Sequence, residues 1–343
     1  MTVNLGAREP MVLCKRCVLP ESPPDIRLDG EGICNLCRAA EGTAAQQNER
    51  SLLETDFVKI LKQHQGRHPY DCLVMCSGGK DSTSSLYYMV KRYKQRVLAF
   101  TFDHGFESED ALENVHRAVE ALGVDFLYYR SNFMHDMFAK MIRSGSKAVL
   151  CHPCSIWYMQ VAFDVAARYD IPIIIAGWTK GQSKRQEVTT KGNCDVNSPE
   201  FVAMAKATRE FLATLKNDPQ YRDFPQTMED AIARAKKRHK AIVLSPHWFL
   251  NSDPEEYVEL ISRELGWKYP RLSYPAKTTN CYLNFVSVHR SLKHFGYSHY
   301  HAEASRLIRL GLLSRDEALE MLAVNFDQTL LDQIGEKLGV TID

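Results

Sequence analysis

The chain has 343 residues, 43 Lys and Arg against 42 Asp and Glu, and a hydrophobic fraction of 45%. Such length and apolar content suit one large α/β domain with smaller appendages, and a formal charge of +1 argues against a globally basic nucleic-acid binder while leaving local patches open. No apolar run approaches the roughly 20 residues of a membrane span, and the N-terminus lacks the basic-then-apolar order of a signal peptide, so a cytoplasmic location with no membrane partner is expected.

Ten cysteines in a reducing compartment call for an explanation other than disulfides. Cys14-Lys-Arg-Cys17 is followed, sixteen residues on, by Cys34-Asn-Leu-Cys37. This is zinc-ribbon spacing: each CxxC turn puts two thiolates on one side of a knuckle, and two knuckles complete a tetrahedron. Asp29-Gly30-Glu31-Gly32 supplies a turn between them, so residues 1–45 are expected to form two short strands over a structural Zn2+. A redox dithiol would need one such motif, not two.

Residues 46–190 read as the main domain. Tyr70 to Met75 predicts a buried strand, and Ser84 to Lys91 the start of an amphipathic helix. Between them lies Ser77-Gly78-Gly79-Lys80-Asp81-Ser82. Two glycines let the backbone approach a ligand closely, successive N–H groups and the helix N-terminus face an anion, and Lys80 adds a mobile positive charge. The loop is built for a polyphosphate, yet it is not the GxxxxGK[ST] loop of kinases and GTPases.

Farther on, Arg96 to Phe102 predicts a second buried strand ending at Asp103, a carboxylate placed for ribose or Mg2+. A helix from about Glu109 to Leu122, a strand over 126–130 and a helix to about Ser144 follow. Cys151-His-Pro-Cys154 opens another helix before a strand over 171–176. The alternation predicts a doubly wound parallel sheet. Gly177 and Gly181 make a loop in which Lys180, Lys184 and Arg185 could hold pyrophosphate or an acidic substrate, with a solvated basic loop as the alternative.

Residues 191–250 are polar and helical with no strand of quality, and read as an insertion or lid. The basic run 234–240 is a solvated helix face on this reading. Residues 251–343 form a helical region that completes the active site. It has a helix over 255–265 capped by Ser252 or Asp253, a Pro- and Tyr-rich loop delivering Cys281, a helix over 300–310, and a capping box at Ser314-Arg-Asp-Glu317. Cys72, Cys76 and Cys194 read as small buried hydrophobes. Cys151 and Cys154 read as functional, since a helix N-terminus favours thiolate and a third CxxC is hard to ascribe to packing. The twelve histidines show neither metal-ligand spacing nor a nucleophile elbow.

The Ser77 to Ser82 loop resembles that of the PP-loop (N-type) ATP pyrophosphatases. The resemblance implies an adenine nucleotide alpha hydrolase-like, HUP-type fold. It implies ATP with Mg2+ as cofactors, and Ser77, Gly78, Gly79, Lys80, Asp81, Ser82, Asp103, Gly177 and Lys180 as ATP-binding residues. Lys80 and Asp81 are then catalytic: a substrate carbonyl or amide oxygen attacks the α-phosphorus, pyrophosphate leaves, and a nucleophile displaces AMP.

Two closer resemblances diverge on that nucleophile. The order of Cys14 and Cys17, Pro20 and Pro24, Asp29 to Cys37, the loop, Ile171 to Ile175, and Phe295 to Ala318 is similar to the N-acetyl sugar amidotransferases over most of the chain. Those enzymes form amidines with ammonia from a separate glutaminase. This chain departs from their pattern at Gly177-Trp178-Thr179 and in the Cys151/Cys154 pair. The cysteine pattern resembles instead the two-thiouridine synthetases, in which a CxxC about seventy residues after the loop and one distant cysteine hold a [4Fe-4S] cluster that takes sulfide. Cys151, Cys154 and Cys281 match those positions.

Thiolation is the preferred expectation, because amidotransfer gives three thiolates no task. The expected acceptor is a small molecule or sugar nucleotide, with tRNA open but not favoured. A sulfide donor or a glutaminase subunit is the expected protein partner, and a homodimer is left open. The reading from another class is a non-catalytic AMP- or ATP-binding metalloprotein.

Overall fold

The computed structural model describes residues 11–41, 53–185, 190–192, 200–250, 253–275, 281–323 and 327–342. Five parallel strands form the central sheet: β1 (Cys72–Met75), β2 (Val97–Asp103), β3 (Asp125–Arg130), β4 (Ile173–Ile175) and β7 (Ile242–Leu244), in the order β3-β2-β1-β4-β7. A separate antiparallel hairpin pairs β5 (Ser183–Arg185) with β6 (Thr190–Gly192). Strand periodicity sends neighbouring residues to opposite faces. Cys72, Val74, Val97, Ala99, Ile173 and Ile175 enter one core cluster, while Leu73, Leu98, Phe100 and Ile174 enter another. Both faces are buried, which explains why the strands read as continuous apolar runs.

Helices cover the two faces. On the first lie α2 (Glu54–His64), α3 (Lys80–Tyr87), α4 (Glu109–Leu122) and α9 (Pro254–Leu265), through Phe57, Leu86, Val115 and Ile261. On the second lie α6 (Cys151–Arg168) and α8 (Met228–Lys236), through Ala162, Phe163 and Ile232. A further core joins α5 (Phe133–Arg143), α7 (Val202–Thr214), α10 (Leu283–Phe295) and α13 (Gln328–Leu338) through Phe138, Phe211, Val286 and Ile334. The helix α11 (His299–Arg309) is followed by α12 (Arg315–Leu322), which starts with the capping box read from the sequence. No helix among the described residues is long and apolar enough to cross a membrane.

Four local expectations are corrected. Residues 191–250 do contribute a strand, β7, which pairs with β4 from Ile173↔Ile242 to Ile175↔Leu244. Three residues after a basic run are too few for a periodic signal. The helix after the phosphate loop begins at Lys80 and ends at Tyr87, passing into a π-turn over Tyr88–Arg92 whose Arg92 pairs with Glu54. The stretch after Gly181 enters the hairpin strand β5, although it read as a loop. The N-terminal module has isolated bridges at Leu13↔Pro20 and Leu28↔Cys34 and a short helix α1 (Asn35–Ala39) where two strands were expected. Cys72 and Cys76 are buried as expected; Cys194 lies outside the described residues.

Candidate active site

Residues 76–79 link β1 to α3. Gly78 has φ +76°, and a Cβ there would lie 2.1 Å from the Ala111 carbonyl oxygen, so α4 admits only glycine at this point. The Gly78 carbonyl accepts from Trp267 Nε1 at 2.8 Å and Asn114 Nδ2 at 3.3 Å. Ser77 N–H donates to Ser82 Oγ at 3.1 Å, which itself donates to the Gly79 carbonyl at 3.1 Å. Gly177 lies at the other side: its added Cβ would sit 2.6 Å from Ser82 N. Gly177 thus serves the close approach of the β4 end to α3. Lys180 follows on the same loop, half-buried, whereas the side chains of Lys184 and Arg185 lie outside the described residues.

Lys80 is pinned, although the sequence suggested a mobile charge. Its Nζ donates to Asp81 Oδ1 at 2.7 Å and to Tyr257 Oη at 3.3 Å, and Tyr257 donates in turn to Asp81 Oδ1. His247 Nε2 lies 2.9 Å from the Asp81 carbonyl and 3.2 Å from Ser84 Oγ. Burial opposes ionisation of Asp81, but Lys80 and His247 outweigh it and hold the carboxyl below its ordinary range. Tyr257, His247 and Trp267 escaped the sequence reading because they reach the loop from segments without a motif of their own.

The helix α11 brings a second unpredicted carboxyl. Arg306 Nη1 donates to the Gly181 carbonyl at 3.1 Å, and a Cβ on Gly181 would lie 3.0 Å from Glu303 Cγ. Glu303 thereby comes within electrostatic reach of Lys80 and Asp81. Burial, then Asp81, pushes its carboxyl up to about 7, while Lys80, Arg306 and a hydrogen bond from Gln182 pull the other way. A carboxyl raised on folding binds its proton more tightly in the native state, so stability falls as pH climbs from the ordinary carboxyl range to the folded value. Glu303→Gln should therefore gain on the wild type between about pH 5 and about pH 8, by up to about 3 kcal/mol. Urea unfolding across that range checks it; parallel curves would show that Glu303 does not titrate there.

Asp103 ends β2 but is engaged within the protein. Its carboxylate accepts from Gly105 N at 2.6 Å and from Tyr128 Oη, and lies 3.4 Å from Arg130 Nη1. The next turn carries the centre around Cys281. An isolated bridge pairs Glu107 with Cys281, and Tyr282 N donates to the Phe106 carbonyl at 2.9 Å. Cys151 and Cys154 open α6, and both are close enough to Cys281 to raise its thiol pKa electrostatically, after burial and Glu107. The three sulfurs do not all lie within 4.8 Å of one another, as the donors to a single ion would. A cubane cluster spaces its ligands more widely than a single ion does and takes thiolates, so three cysteines in one neighbourhood fit such a group in kind.

The thiolate expected at the α6 N-terminus is not favoured. Burial pushes Cys151 up to about 11, against a hydrogen bond with Ser287, and its Sγ donates to Asn284 Oδ1 at 3.8 Å. Desolvation outweighs the helix dipole there.

Cys14, Cys17, Cys34 and Cys37 converge as the spacing requires. All four are buried, with Cys14 Sγ 4.0 Å from Cys37 Sγ and Cys17 Sγ 3.7 Å from Cys34 Sγ. A tetrahedron with metal–sulfur bonds near 2.3 Å has edges of about 3.8 Å. Backbone N–H groups of Cys34 and Cys37 donate to Cys14 Sγ at 3.2 Å and Cys34 Sγ at 3.4 Å, which stabilises negative charge on those sulfurs. Arg315 Nε bridges the Cys14 and Cys17 carbonyls, and Val18 N donates to Ser305 Oγ on α11. The module is thus clamped to α11 and α12.

Residues 71–177 match the family model described as queuosine biosynthesis protein QueC. The matched stretch runs from β1 through the Ser77 to Ser82 loop to the end of β4, and it supports the likeness to the PP-loop ATP pyrophosphatases. Among individual proteins it is similar to the uncharacterized protein MJ1599 of Methanocaldococcus jannaschii, at 23% identity over 310 residues, covering 90% of this chain and 92% of that protein. The U34-tRNA thiolase NcsA of Methanococcus maripaludis, solved with its [4Fe-4S] cluster, aligns at 15% identity and TM-score 0.34, covering 88% of each chain. The NH3-dependent NAD synthetase of Campylobacter jejuni aligns at 15% identity and TM-score 0.31, covering 55% of this chain and 93% of that one.

Proposed function

We propose that this protein is a cytoplasmic ATP-dependent sulfurtransferase that adenylates a carbonyl or amide oxygen and replaces AMP with sulfur. ATP lies with its phosphates against the N–H groups of the Ser77 to Ser82 loop. The substrate oxygen attacks the α-phosphorus, the bond to pyrophosphate breaks, and Lys80 and the loop amides stabilise the charge that develops. Asp81 and Tyr257 position Lys80 for this task. Gly78 keeps the loop pressed on α4, and Trp267 and Asn114 hold its carbonyl away from the phosphates. Mg2+ enters with the nucleotide. The acceptor is a small molecule or sugar nucleotide, and a separate protein donates the sulfide.

The observation that carries sulfur over ammonia is the approach of Cys281 to Cys151 and Cys154. This happens at the loop leading into α4, the helix on which Gly78 rests. Three thiolates at this place would hold a [4Fe-4S] cluster, which supplies an iron with an open coordination position suited to carrying sulfide. Cys14, Cys17, Cys34 and Cys37 hold Zn2+ in a closed structural site.

Iron, acid-labile sulfide and zinc per chain, measured on anaerobically purified protein beside Cys281→Ala, test the reading. About four iron, four sulfide and one zinc are expected in the wild type, with iron lost and zinc kept in the variant. Zinc alone, even after iron–sulfur reconstitution, would overturn sulfur transfer and leave amidine formation with ammonia from a partner glutaminase.

A further inference from the structure

We propose that His104, Glu107 and Cys281 form a mononuclear site for a borderline divalent transition metal, Zn2+ or Fe2+, separate from the four-cysteine centre and sharing Cys281 with the cluster proposed above. The three side chains offer one nitrogen, one oxygen and one sulfur, all within 4.8 Å of one another. Cys281 Sγ is 3.5 Å from His104 Nε2, and His104 Nε2 is 3.6 Å from Glu107 Oε1. A tetrahedral ion with bonds near 2.3 Å to sulfur and near 2.0–2.1 Å to nitrogen and oxygen has donor–donor edges of about 3.4–3.6 Å. A hydrogen bond from Nε2 accounts for one of these edges, whereas one ion accounts for both.

The scaffold holds the donors from the backbone outward. His104 follows the last residue of β2, and the Glu107↔Cys281 bridge fixes the distant cysteine against the turn. His104 and Glu107 are 3% and 12% exposed at the side chain. The His104 ring meets both the Phe106 N–H, 3.3 Å from Nδ1, and the carbonyl of His104 itself. Phe106 N–H donates to Nδ1, which leaves the ring proton on Nε2; when Nε2 binds an ion that proton is displaced to Nδ1, where the His104 carbonyl accepts it in place of the Phe106 contact.

Lys337 donates to the Gly105 carbonyl and lies 4.7 Å from the Phe106 ring centroid, and Asp103 adds a negative charge nearby. A carboxylate, a thiolate and a neutral imidazole on a divalent ion sum to zero, which suits a buried position better than the same acids alone. Three protein ligands leave the fourth position open, as in sites that bind water or substrate.

The test uses the full chain with the four-cysteine centre filled and iron removed, titrated with Co2+ as probe. One further equivalent is expected, with a sulfur-to-cobalt charge-transfer band and the visible bands of tetrahedral cobalt. Competition by Zn2+ and by Fe2+ without sulfide ranks the two natural candidates. Glu107→Gln and His104→Ala should each weaken binding more than about tenfold, while Cys151→Ser and Cys154→Ser leave it unchanged. No further equivalent in the wild type overturns the site, as does dependence on Cys151 and Cys154 with indifference to His104 and Glu107. Wild-type stoichiometry decides independently of whether a variant folds. Iron–sulfur reconstitution of the same protein reports on the sulfur-transfer reading separately.

Discussion

Gly78→Ala should lower the unfolding free energy by about 3 kcal/mol or more and abolish ATP binding. Two costs combine at this residue. Its φ of +76° lies in the left-handed region, and the new methyl would meet backbone, the Ala111 carbonyl oxygen at 2.1 Å, which no side-chain rotation can relieve. Relief requires moving the loop off α4, which also breaks the bonds from Trp267 and Asn114 to the Gly78 carbonyl. Gly66 is the control: its φ is +77°, but nothing lies within 4 Å of an added Cβ. Gly66→Ala should thus incur only the conformational cost of about 1 kcal/mol and bind ATP normally. Urea unfolding and calorimetric titration with ATP measure both effects. Equal losses in the two variants would mean that contact with α4 does not constrain the loop.

Cys34→Ser should release the metal from the N-terminal knuckles and destabilise the protein well beyond residues 11–41. Structural zinc contributes about 10 kcal/mol or more to folding in small isolated modules, and a loss of at least about 3 kcal/mol is expected here. Without a cation the four thiols cannot all ionise in so small a volume: hydrogen bonds from Cys34 and Cys37 favour a thiolate on Cys17, and giving those bonds, with burial, pushes their own thiols up. The effect spreads because Cys14, Leu19 and Ile26 share a core with Phe201, Tyr297 and Ala302, and Arg315 clamps the Cys14 and Cys17 carbonyls. Zinc analysis, thermal melting and limited proteolysis read the outcome. Full zinc content with an unchanged melt would exclude a structural metal.

The same clamp links the module to the surroundings of Lys80. Ser305, which accepts from Val18, lies two residues beyond Glu303 on α11, and Glu303 faces Lys80 and Asp81. The order of the knuckles and the position of that carboxyl are therefore coupled through a single helix.

Local constraints were legible without coordinates. Ser77 to Ser82 needs its glycines, lysine and serines within one strand-to-helix turn, so the whole requirement lies in six neighbouring residues. The paired CxxC motifs behave likewise, since each knuckle is closed by residues three apart. The parallel sheet was legible because strands buried on both faces leave apolar runs between amphipathic helices. Short elements escaped: β7 has three residues and no periodicity to detect, and hydrogen bonds to β4 define it.

The chain order alone settled an α/β domain with a Gly-rich strand-to-helix loop behind a four-cysteine module, because those features rest on contacts between near neighbours. Tertiary structure decided what surrounds Lys80 and Cys281. Tyr257 and Trp267 close on the loop from 177 and 189 residues away, and His104 reaches Cys281 across 177. Only folding desolvates Glu303 and Glu107 and sets them beside Asp81 and Asp103. Their charge states depend on burial and on neighbours brought in from elsewhere, quantities that residue order does not carry.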